Sequence, residues 1–487
     1  MLLCTSAALV EAVRLSSLSA LSNGDLWWHL RTGLWILQNH ALPHSGLFSQ
    51  MSDRPWIVSS WGYDLLLAGA YRLLDLRAVP ALLMCLKVGL AVLVFWLADG
   101  WRGKFWPAVG LSAVAQYILA GVQPGPAYWS VLLFAVELMV LNEARRTGSL
   151  RPLFWLPPLF LVWANLDVQF VYGIVLLLLF LTVTSAAKAA HEDATLTAAL
   201  KRCATPNDGT TQVQSILATG GAAAVLSVIA TLITPYFYRS YGVFFSSMWS
   251  AANRYLPDFH AMSFHQPRDY VALLLTMGAF LALGLRRSRD LYLISLLAVS
   301  AMLSFHAQRD IWLATLAAVA VIADTIRGES NVAAIDDRRA WRQHALVTAG
   351  LVILVLILAC GLQIPRGRET LLAKIGQSYP VAACDYIRQH QLSPPVFNAY
   401  EWGGFLTWYL PEYPVAIDGR TDLYGDDFII QYSKVMNADL PYTINPALTG
   451  ARTILLPRGS LMAEALGTVP GFTVAYSDNV AVVLTRP

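Results

Sequence analysis

Apolar runs about as long as a membrane-spanning helix recur along the whole chain, and no other feature constrains its fold as strongly. They lie near residues 1–21, 78–98, 105–121, 127–142, 152–166, 170–187, 216–236, 269–285, 290–307, 311–326 and 344–363. With 56% apolar and 13% charged residues in 487, the chain holds more hydrophobic material than one soluble core needs. The sequence therefore predicts an α-helical polytopic membrane protein with about eleven transmembrane helices.

Charges between the runs predict the orientation of the chain. The stretch 61–76 carries Asp64, Arg72 and Asp75, so we expect an interfacial helix there and not a span. On that assumption, fifteen Lys and Arg residues fall in the loops of one side and eight in the loops of the other. Because the side richer in Lys and Arg faces the cytoplasm, the N-terminus is predicted inside and the C-terminus outside.

Composition also excludes some classes of function. The net charge is only +3, and the basic residues form short clusters between apolar runs, as topology signals do. We therefore expect no nucleic-acid partner. The five cysteines lie far apart without a CxxC spacing, so neither a disulfide framework nor a cysteine metal site is predicted. Residues 1–21 lack a cleavage signal and are expected to be a retained span.

The chain changes character after its last apolar run. In residues 365–487, called the tail domain below, strand-length segments alternate with helical patterns at 378–391, 402–410, 426–436 and 460–468. The segments are PVFNAY, YPVAID, RTILLP, FTVAYS and VAVVLT. They predict an extracytoplasmic α/β domain with Asp478 and Asn479 in a hairpin turn. Residues 1–364 are predicted to form the transmembrane domain, with residues 22–77 as its first external loop.

The predicted topology gathers many polar residues on the external side, where the long loops 22–77 and 237–268 also lie. We therefore expect any chemistry outside the cytoplasm. The residues concerned, besides those of the tail domain, are Asp25, His29, Asp167, Gln169, Arg239, Asp258, His260, His265, Arg309 and Asp310.

Six stretches carry a resemblance to a known class: DLWWHLRTGLWIL, PHSGLFSQ, WANLDVQF, PDFH, YEWGGFLTW and DGRTDLYGD. With the acidic residue after the first span, they resemble the GT-C membrane glycosyltransferases, and most closely a group of bacterial multi-spanning GT-C-like proteins without a characterised activity. The resemblance implies a bacterial inner-membrane protein with membrane lipids and a polyprenyl-phosphate-linked sugar as partners. Asp167-Val168-Gln169 stands where that group has His-Gly-Gly, so a role of that histidine does not transfer.

Asp25 is the candidate catalytic residue. The resemblance assigns the general base to an acidic residue at this place, because the acceptor must lose a proton while the phosphate leaving group needs little acid help. His29 lies four residues on, on the same helix face, where it could share a proton or a metal with Asp25. The competing interpretation is that Asp25 only caps the helix that follows.

A phosphate-linked donor also needs a cation near the membrane surface. Arg309 in HAQRDIW is the first candidate and Arg239 in PYFYRSYG the second, since guanidinium binds phosphate through paired hydrogen bonds. Arg309 could instead pair with Asp310 as a structural contact. Asp258 and His260 are further substrate-binding candidates. With His265 they leave a divalent cation open as a cofactor, although their spacing is not that of a metal site.

DGRTDLYGDD, at 418–427, is the densest polar cluster of the tail domain. Asp418, Arg420 and Asp422 follow the segment YPVAID, so we expect them at the carboxyl edge of a sheet, where ligands bind. Substrate binding, docking onto the membrane domain and a purely structural ion pair all remain open. Asp167 and Gln169 complete the predicted binding residues.

Three functions remain open from the sequence. The leading one is transfer of a sugar from a polyprenyl-phosphate-type donor to an extracytoplasmic acceptor. A non-catalytic assembly or scaffold subunit, with a protein partner at the tail domain, and a lipid or solute transporter are the alternatives.

Overall fold

The computed structural model describes residues 18–99, 105–120, 122, 124–202, 216–286, 290–327, 361 and 364–486. The predicted spans at 1–21 and 344–363 lie almost entirely outside these residues. Within them the first part of the chain is helical. Its longer helices are α1 (Gly24–Asn39), α2 (Trp61–Leu74), α3 (Ala78–Leu97), α4 (Phe105–Leu119), α5 (Pro126–Thr147), α6 (Leu156–Leu166), α7 (Phe170–Arg202), α8 (Gly221–Thr231), α9 (Arg239–Trp249), α10 (Pro267–Leu285), α11 (Leu291–His306) and α12 (Ile311–Arg327).

Among the described residues, four helical segments are long and apolar enough to cross a membrane: Trp61–Leu97, Pro126–Thr147, Phe170–Ala187 and Pro267–Leu285. Phe105–Leu119, Ala218–Thr231 and Leu291–His306 are apolar but shorter. The helical character of the predicted runs is therefore observed, whereas the number of eleven spans stays a prediction.

The first of these segments contains the stretch predicted to be interfacial. Helices α2 and α3 are separated by a bend at Asp75, whose φ is 52°. With the turn between them they comprise 37 residues, or about 55 Å of helix, against a hydrocarbon core of about 30 Å. The segment is longer than one straight span needs, and the interfacial position of α2 stays a prediction.

Helix α12 is the centre of the bundle. It is apolar on all sides, and Trp312, Leu316 and Val319 are fully buried, as expected for a helix surrounded by others. Helices α4, α5, α10 and α11 pack around it. Near its end, Asp324 accepts hydrogen bonds from Arg145 of α5 and Arg286 at the end of α10. Both arginines belong to the predicted cytoplasmic clusters.

The tail domain contains a four-stranded sheet with strand order β1-β2-β4-β3. Its strands are β1 (Val396–Asn398), β2 (Thr453–Pro457), β3 (Thr473–Ser477) and β4 (Ala481–Thr485); β1 and β2 are parallel and the other pairs antiparallel. The helices are α13 (Arg368–Ile375), α14 (Val381–Gln389), α15 (Tyr400–Tyr409), α16 (Thr421–Tyr424), α17 (Asp426–Met436), α18 (Pro446–Gly450) and α19 (Leu461–Gly467). Asp478 forms the β3–β4 turn, accepting from the backbone N–H groups of Val480 and Ala481 at 2.7 Å.

The segment YPVAID does not form the predicted strand. Only Val415 pairs, with Val396 of β1 on one side and with Ser49 of the first external loop on the other. Its N–H donates to the Phe48 carbonyl at 3.1 Å, and the Gln50 N–H donates to its own carbonyl at 2.9 Å. The first external loop therefore extends the edge of the tail-domain sheet through backbone hydrogen bonds.

Candidate functional site

Asp25 lies in the first turn of α1 but does not cap the helix. The cap is Asn23, whose side-chain oxygen accepts from the backbone N–H groups of Asp25 at 2.8 Å and Leu26 at 3.2 Å. The capping interpretation of Asp25 is therefore wrong, because the cap is the residue immediately before the first helical position. The Asp25 carboxylate instead accepts from the indole N–H of Trp28 at 3.3 Å.

The tail domain contacts Asp25 directly. Gly419 lies so close that a Cβ atom there would overlap Asp25 Oδ1 and would lie 2.8 Å from its Cγ. One turn into α15, a Cβ on Gly404 would overlap the carbonyl oxygen of Gly24. Three stretches that are far apart in sequence, DLWWH, YEWGGF and DGRTD, therefore meet at the start of α1.

Surrounding groups change the acidity of Asp25. The side chain of Asp25 is solvent-exposed, but desolvation by nearby protein still raises its pKa above the ordinary value of 3.8, against the charge of His29 and the Trp28 hydrogen bond. The negative charges of Asp258 and Asp418 raise the pKa further. Asp258 therefore lies near enough to Asp25 to influence its pKa, and the convergence of the external polar residues stays a prediction.

His29 is paired with Asp64 and not with Asp25. Its Nδ1 lies 2.6 Å from Asp64 Oδ1 and 3.3 Å from Ser60 Oγ, and all three side chains are buried. The ring of Trp28 stacks on the imidazole at 3.5 Å. The sequence analysis used Asp64 only as evidence for an interfacial helix, so it missed this partner, which lies 35 residues away.

Asp167 and Gln169 join different helices at one end of the bundle. Asp167 accepts from the Ser130 hydroxyl at 2.6 Å, and burial raises its pKa to about 6 despite that bond and the charge of Arg309. The Gln169 amide donates to Asp310 at 3.3 Å, and the Tyr172 hydroxyl donates to the same carboxylate at 2.6 Å.

Arg309 lines a cavity of about 340 Å³ between α11 and the loop that follows α9. Arg254, His260 and His306 also line it, so two arginines and two histidines face one acid, Asp310. The Arg309 guanidinium stacks on Phe259 at 3.9 Å, and its Nε lies 3.8 Å from Asp310 Oδ1. The contact with Asp310 that the sequence left open is therefore present, and the phosphate-binding role of Arg309 stays a prediction.

The sequence analysis missed Arg254 and His306. His306 begins the HAQRDIW stretch, and Arg254 lies three residues before PDFH, so both flank segments that were singled out. Backbone pairing brings the segments together: the N–H of Gln308 donates to the carbonyl of His260 at 2.9 Å.

A narrow apolar groove adjoins the cavity and shares Tyr172 and Leu303 with it. Its other lining residues are Phe134, Val175, Leu176, Leu179, Leu296, Val299, Ser300 and Leu313, from α5, α7, α11 and α12. A cavity lined by two arginines at the helix ends therefore lies beside an apolar groove of about 20 Å³ along the helices.

Other predicted residues lie elsewhere. Arg239 is exposed at the start of α9, and His265 is exposed beyond the PDFH segment; neither is among the residues lining the cavity. Within the described ranges, no three His, Cys, Asp or Glu side chains are grouped so as to hold a metal ion. Arg309 is accordingly the better-placed of the two predicted phosphate ligands.

Asp418 and Arg420 form a buried ion pair, with 2.6 Å between Arg420 Nη2 and Asp418 Oδ2. Arg420 also donates to the Leu47 carbonyl at 2.8 Å and stacks on Trp56 at 4.8 Å, so the pair ties the tail domain to the first external loop. Asp422 is solvent-exposed; desolvation by nearby protein still raises its pKa to about 6, against the charge of Arg420.

No protein-family model matches the sequence, and no curated protein matches it. Two solved structures similar to the fold are an Archaeoglobus fulgidus oligosaccharyltransferase tethered to an acceptor peptide and ArnT from Cupriavidus metallidurans bound to undecaprenyl phosphate. The first has a TM-score of 0.49 and 10% identity, covering 99% of this chain and 74% of that one. The second has a TM-score of 0.47 and 13% identity, covering 99% and 97%.

Both similar structures are GT-C glycosyltransferases, the class that the sequence resembles.

Proposed function

We propose that the protein is a membrane glycosyltransferase that transfers a sugar from a polyprenyl-phosphate-type donor to an extracytoplasmic acceptor. One observation carries the proposal: a cavity lined by Arg254, His260, His306 and Arg309 lies beside a narrow apolar groove between helices. The proposed setting is a bacterial inner membrane, with the N-terminus in the cytoplasm and the tail domain outside.

The cavity and groove suit a ligand with an anionic head and a long apolar chain. Guanidinium groups bind phosphate oxygens through paired, charge-assisted hydrogen bonds, and the histidines add donors. Tyr172 and Leu303 mark the place where the phosphate would end and the polyprenyl chain would begin. The groove holds only about 20 Å³, so a polyprenyl chain would lie mostly against the exposed apolar side chains of the helices, such as Val175 and Leu178.

Asp25 is the proposed general base. The acceptor hydroxyl attacks the anomeric carbon, the bond from that carbon to the phosphate oxygen breaks, and the acceptor proton passes to Asp25. The polyprenyl phosphate leaves as an anion held by Arg309 and Arg254. Asp25 is not among the residues that line the cavity, and Asp258 is the proposed link between the two parts. The charge of this exposed side chain raises the pKa of Asp25, and desolvation by nearby protein raises its own pKa against the charges of Arg309 and Arg268.

Binding tests the donor class. The purified chain in nanodiscs would be titrated with undecaprenyl phosphate and, separately, with undecaprenol, which lacks the phosphate. We expect the phosphate to bind at least tenfold more tightly, and Arg309→Gln and Arg254→Gln each to lose most of that difference, about 1.5–3 kcal/mol for a hydrogen bond to a charged group. Arg458→Gln, an exposed arginine of the tail domain, is the matched control. Equal affinity for the two lipids would refute the donor assignment.

Turnover tests the reaction. Undecaprenyl-phosphate-linked sugars would be supplied with a cell-envelope glycan extract, with and without EDTA, and release of undecaprenyl phosphate would be measured. We expect release with at least one donor and its loss in Asp25→Asn. Tight lipid binding without release from any donor would instead favour the assembly-subunit hypothesis, with a protein partner at the tail domain. The EDTA arm decides whether a divalent cation is needed.

A further inference from the structure

A side chain at Gly419 of the tail domain would overlap the carboxylate of Asp25. A Cβ atom there would overlap Asp25 Oδ1 and would lie 2.8 Å from Asp25 Cγ and 3.1 Å from Trp28 Nε1. Its φ is not in the positive range that favours glycine. Any larger residue at 419 would therefore have to displace the Asp25 carboxylate or the tail domain, and backbone conformation is not what favours glycine here.

The two neighbours of Gly419 fix its backbone. Asp418 and Arg420 form the buried ion pair, the Arg420 N–H also donates to Asp418 at 3.0 Å, and the Thr421 N–H donates to the Gly419 carbonyl at 2.9 Å. Through Leu47 and Trp56, the same arginine binds the first external loop. Gly419 is thus held rigidly relative to the loop that carries Asp25.

Two further glycines set the distance between the start of α1 and the segment that leads to Gly419. A Cβ on Gly403 would overlap the Ile417 carbonyl oxygen, and one on Gly404 would overlap that of Gly24. Helix α15 is therefore packed, backbone against backbone, between the start of α1 and the segment leading to Gly419. Any change of this spacing would move Gly419 relative to Asp25.

Asp25 has few other constraints on its carboxylate. Oδ1 accepts one hydrogen bond, from Trp28 at 3.3 Å, and faces Gly419. In the described part of the chain, Oδ2 accepts no hydrogen bond. The wall formed by Gly419 and Trp28 thus fixes one oxygen and leaves the other for a ligand.

We propose that Gly419 is a positioning residue for the Asp25 carboxylate, so that the tail domain forms one wall of the reactive site. The assignment of Asp25 as the base rests on the proposed function, whereas the positioning itself does not. A displacement of about 1 Å in a reacting group can lower a rate on the order of a hundredfold. Gly419→Ala must shift either the carboxylate or the tail domain.

The first experiment requires no activity. Asp25 would be labelled with a water-soluble carbodiimide and glycine ethyl ester in the full chain, and the modified peptide quantified by mass spectrometry. We expect Gly419→Ala to change the labelling rate of Asp25 severalfold. Gly467→Ala, where a Cβ meets nothing within 4 Å, should leave it unchanged. Equal labelling in the two variants would overturn the positioning.

A double-mutant cycle of melting temperatures tests the steric contact between Gly419 and Asp25. In the parent, Gly419→Ala should lower the melting temperature because of the overlap with Asp25. In the Asp25→Ala background the overlap is gone, so Gly419→Ala should melt like Asp25→Ala alone. An equal loss in both backgrounds would mean that Gly419 acts through another neighbour, and it would overturn the proposal.

The transfer rate then shows whether Gly419 positions Asp25 for the reaction or only packs against it. Gly419→Ala should lower kcat on the order of a hundredfold with little change in the donor KM. In an Asp25→Asn background, Gly419→Ala should cost nothing further. Additive losses would overturn an action through Asp25. If the parent releases no undecaprenyl phosphate, the proposed function fails, and the labelling and stability results still decide the role of Gly419.

Discussion

The imidazole of His29 and the carboxylate of Asp64 form a buried pair, with 2.6 Å between Nδ1 and Oδ1. Asp64 belongs to α2, so the pair joins the two helices of the first external loop. It lies one helical turn from Asp25, and the charge of His29 lowers the pKa of Asp25 against the desolvation that raises it. The packing of α1 against α2 and the pKa of Asp25 therefore both depend on the His29–Asp64 pair.

The first prediction concerns this pair. Asp64→Ala leaves the buried His29 without its partner, so we expect a loss of about 1–3 kcal/mol in the free energy of unfolding. Denaturant unfolding of the purified protein measures it. Asp53→Ala, at an exposed aspartate of the same loop, is the control and should be neutral. Parental stability of Asp64→Ala would mean that the pair contributes nothing.

The second prediction separates the helix cap from the base. Asn23→Ala removes the observed cap and should cost about 1 kcal/mol of stability. Asp25→Asn should unfold like the parent yet lose on the order of a hundredfold in transfer rate, because an amide cannot take up a proton at neutral pH. Thermal melts and single-turnover rates are the two measurements. A fully active Asp25→Asn variant would exclude Asp25 as the base.

The third prediction is a pH dependence. A base works only when ionised, so the rate should fall as the pH is lowered through the pKa of Asp25. Desolvation raises that pKa above 3.8, with a contribution from Asp258, so the fall begins at a higher pH than for an ordinary aspartate. Asp258→Asn removes a negative charge, lowers the pKa of Asp25 and should move the acid limb to lower pH. The exposed control Asp439→Asn should leave the profile in place.

The fourth prediction tests the connection of the tail domain to the first external loop. Asp418→Asn leaves Arg420 buried without its counter-charge, which costs about 3–5 kcal/mol. We expect faster cleavage of the tail domain in limited proteolysis and a lower melting temperature. Asp427→Asn, at an exposed aspartate nearby, should change neither. Unaltered proteolysis of Asp418→Asn would show that backbone pairing alone holds the domain.

The fifth prediction is topological. Reporter proteins fused after residue 146 or 340 should behave as cytoplasmic, and those fused after residue 365 or 487 as external, because the basic loops favour the cytoplasmic side. Activity of paired phosphatase and fluorescent reporters in cells measures this. An external signal at residue 146 would contradict the predicted orientation.

Local patterns predicted several elements accurately. The helical pattern at 426–436 coincides with Asp426–Met436, and the segment VAVVLT contains strand Ala481–Thr485. Both depend on side-chain periodicity within one segment, which the sequence displays directly. YPVAID has the same kind of pattern, but its Val415 pairs with only one strand and a loop. Strand formation there depends on neighbours that the pattern does not contain.

The sequence by itself determined the helical, membrane-type character of the chain, the α/β tail domain and the stretches that carry the polar residues. Only the tertiary structure decided the partners: Asp64 for His29, Asn23 as the cap in place of Asp25, Gly419 against Asp25, and Arg254 with Arg309 around one cavity. The physical reason is range. Hydrophobic periodicity acts over a few residues, whereas electrostatic and steric contacts depend on distances in space that packing alone sets.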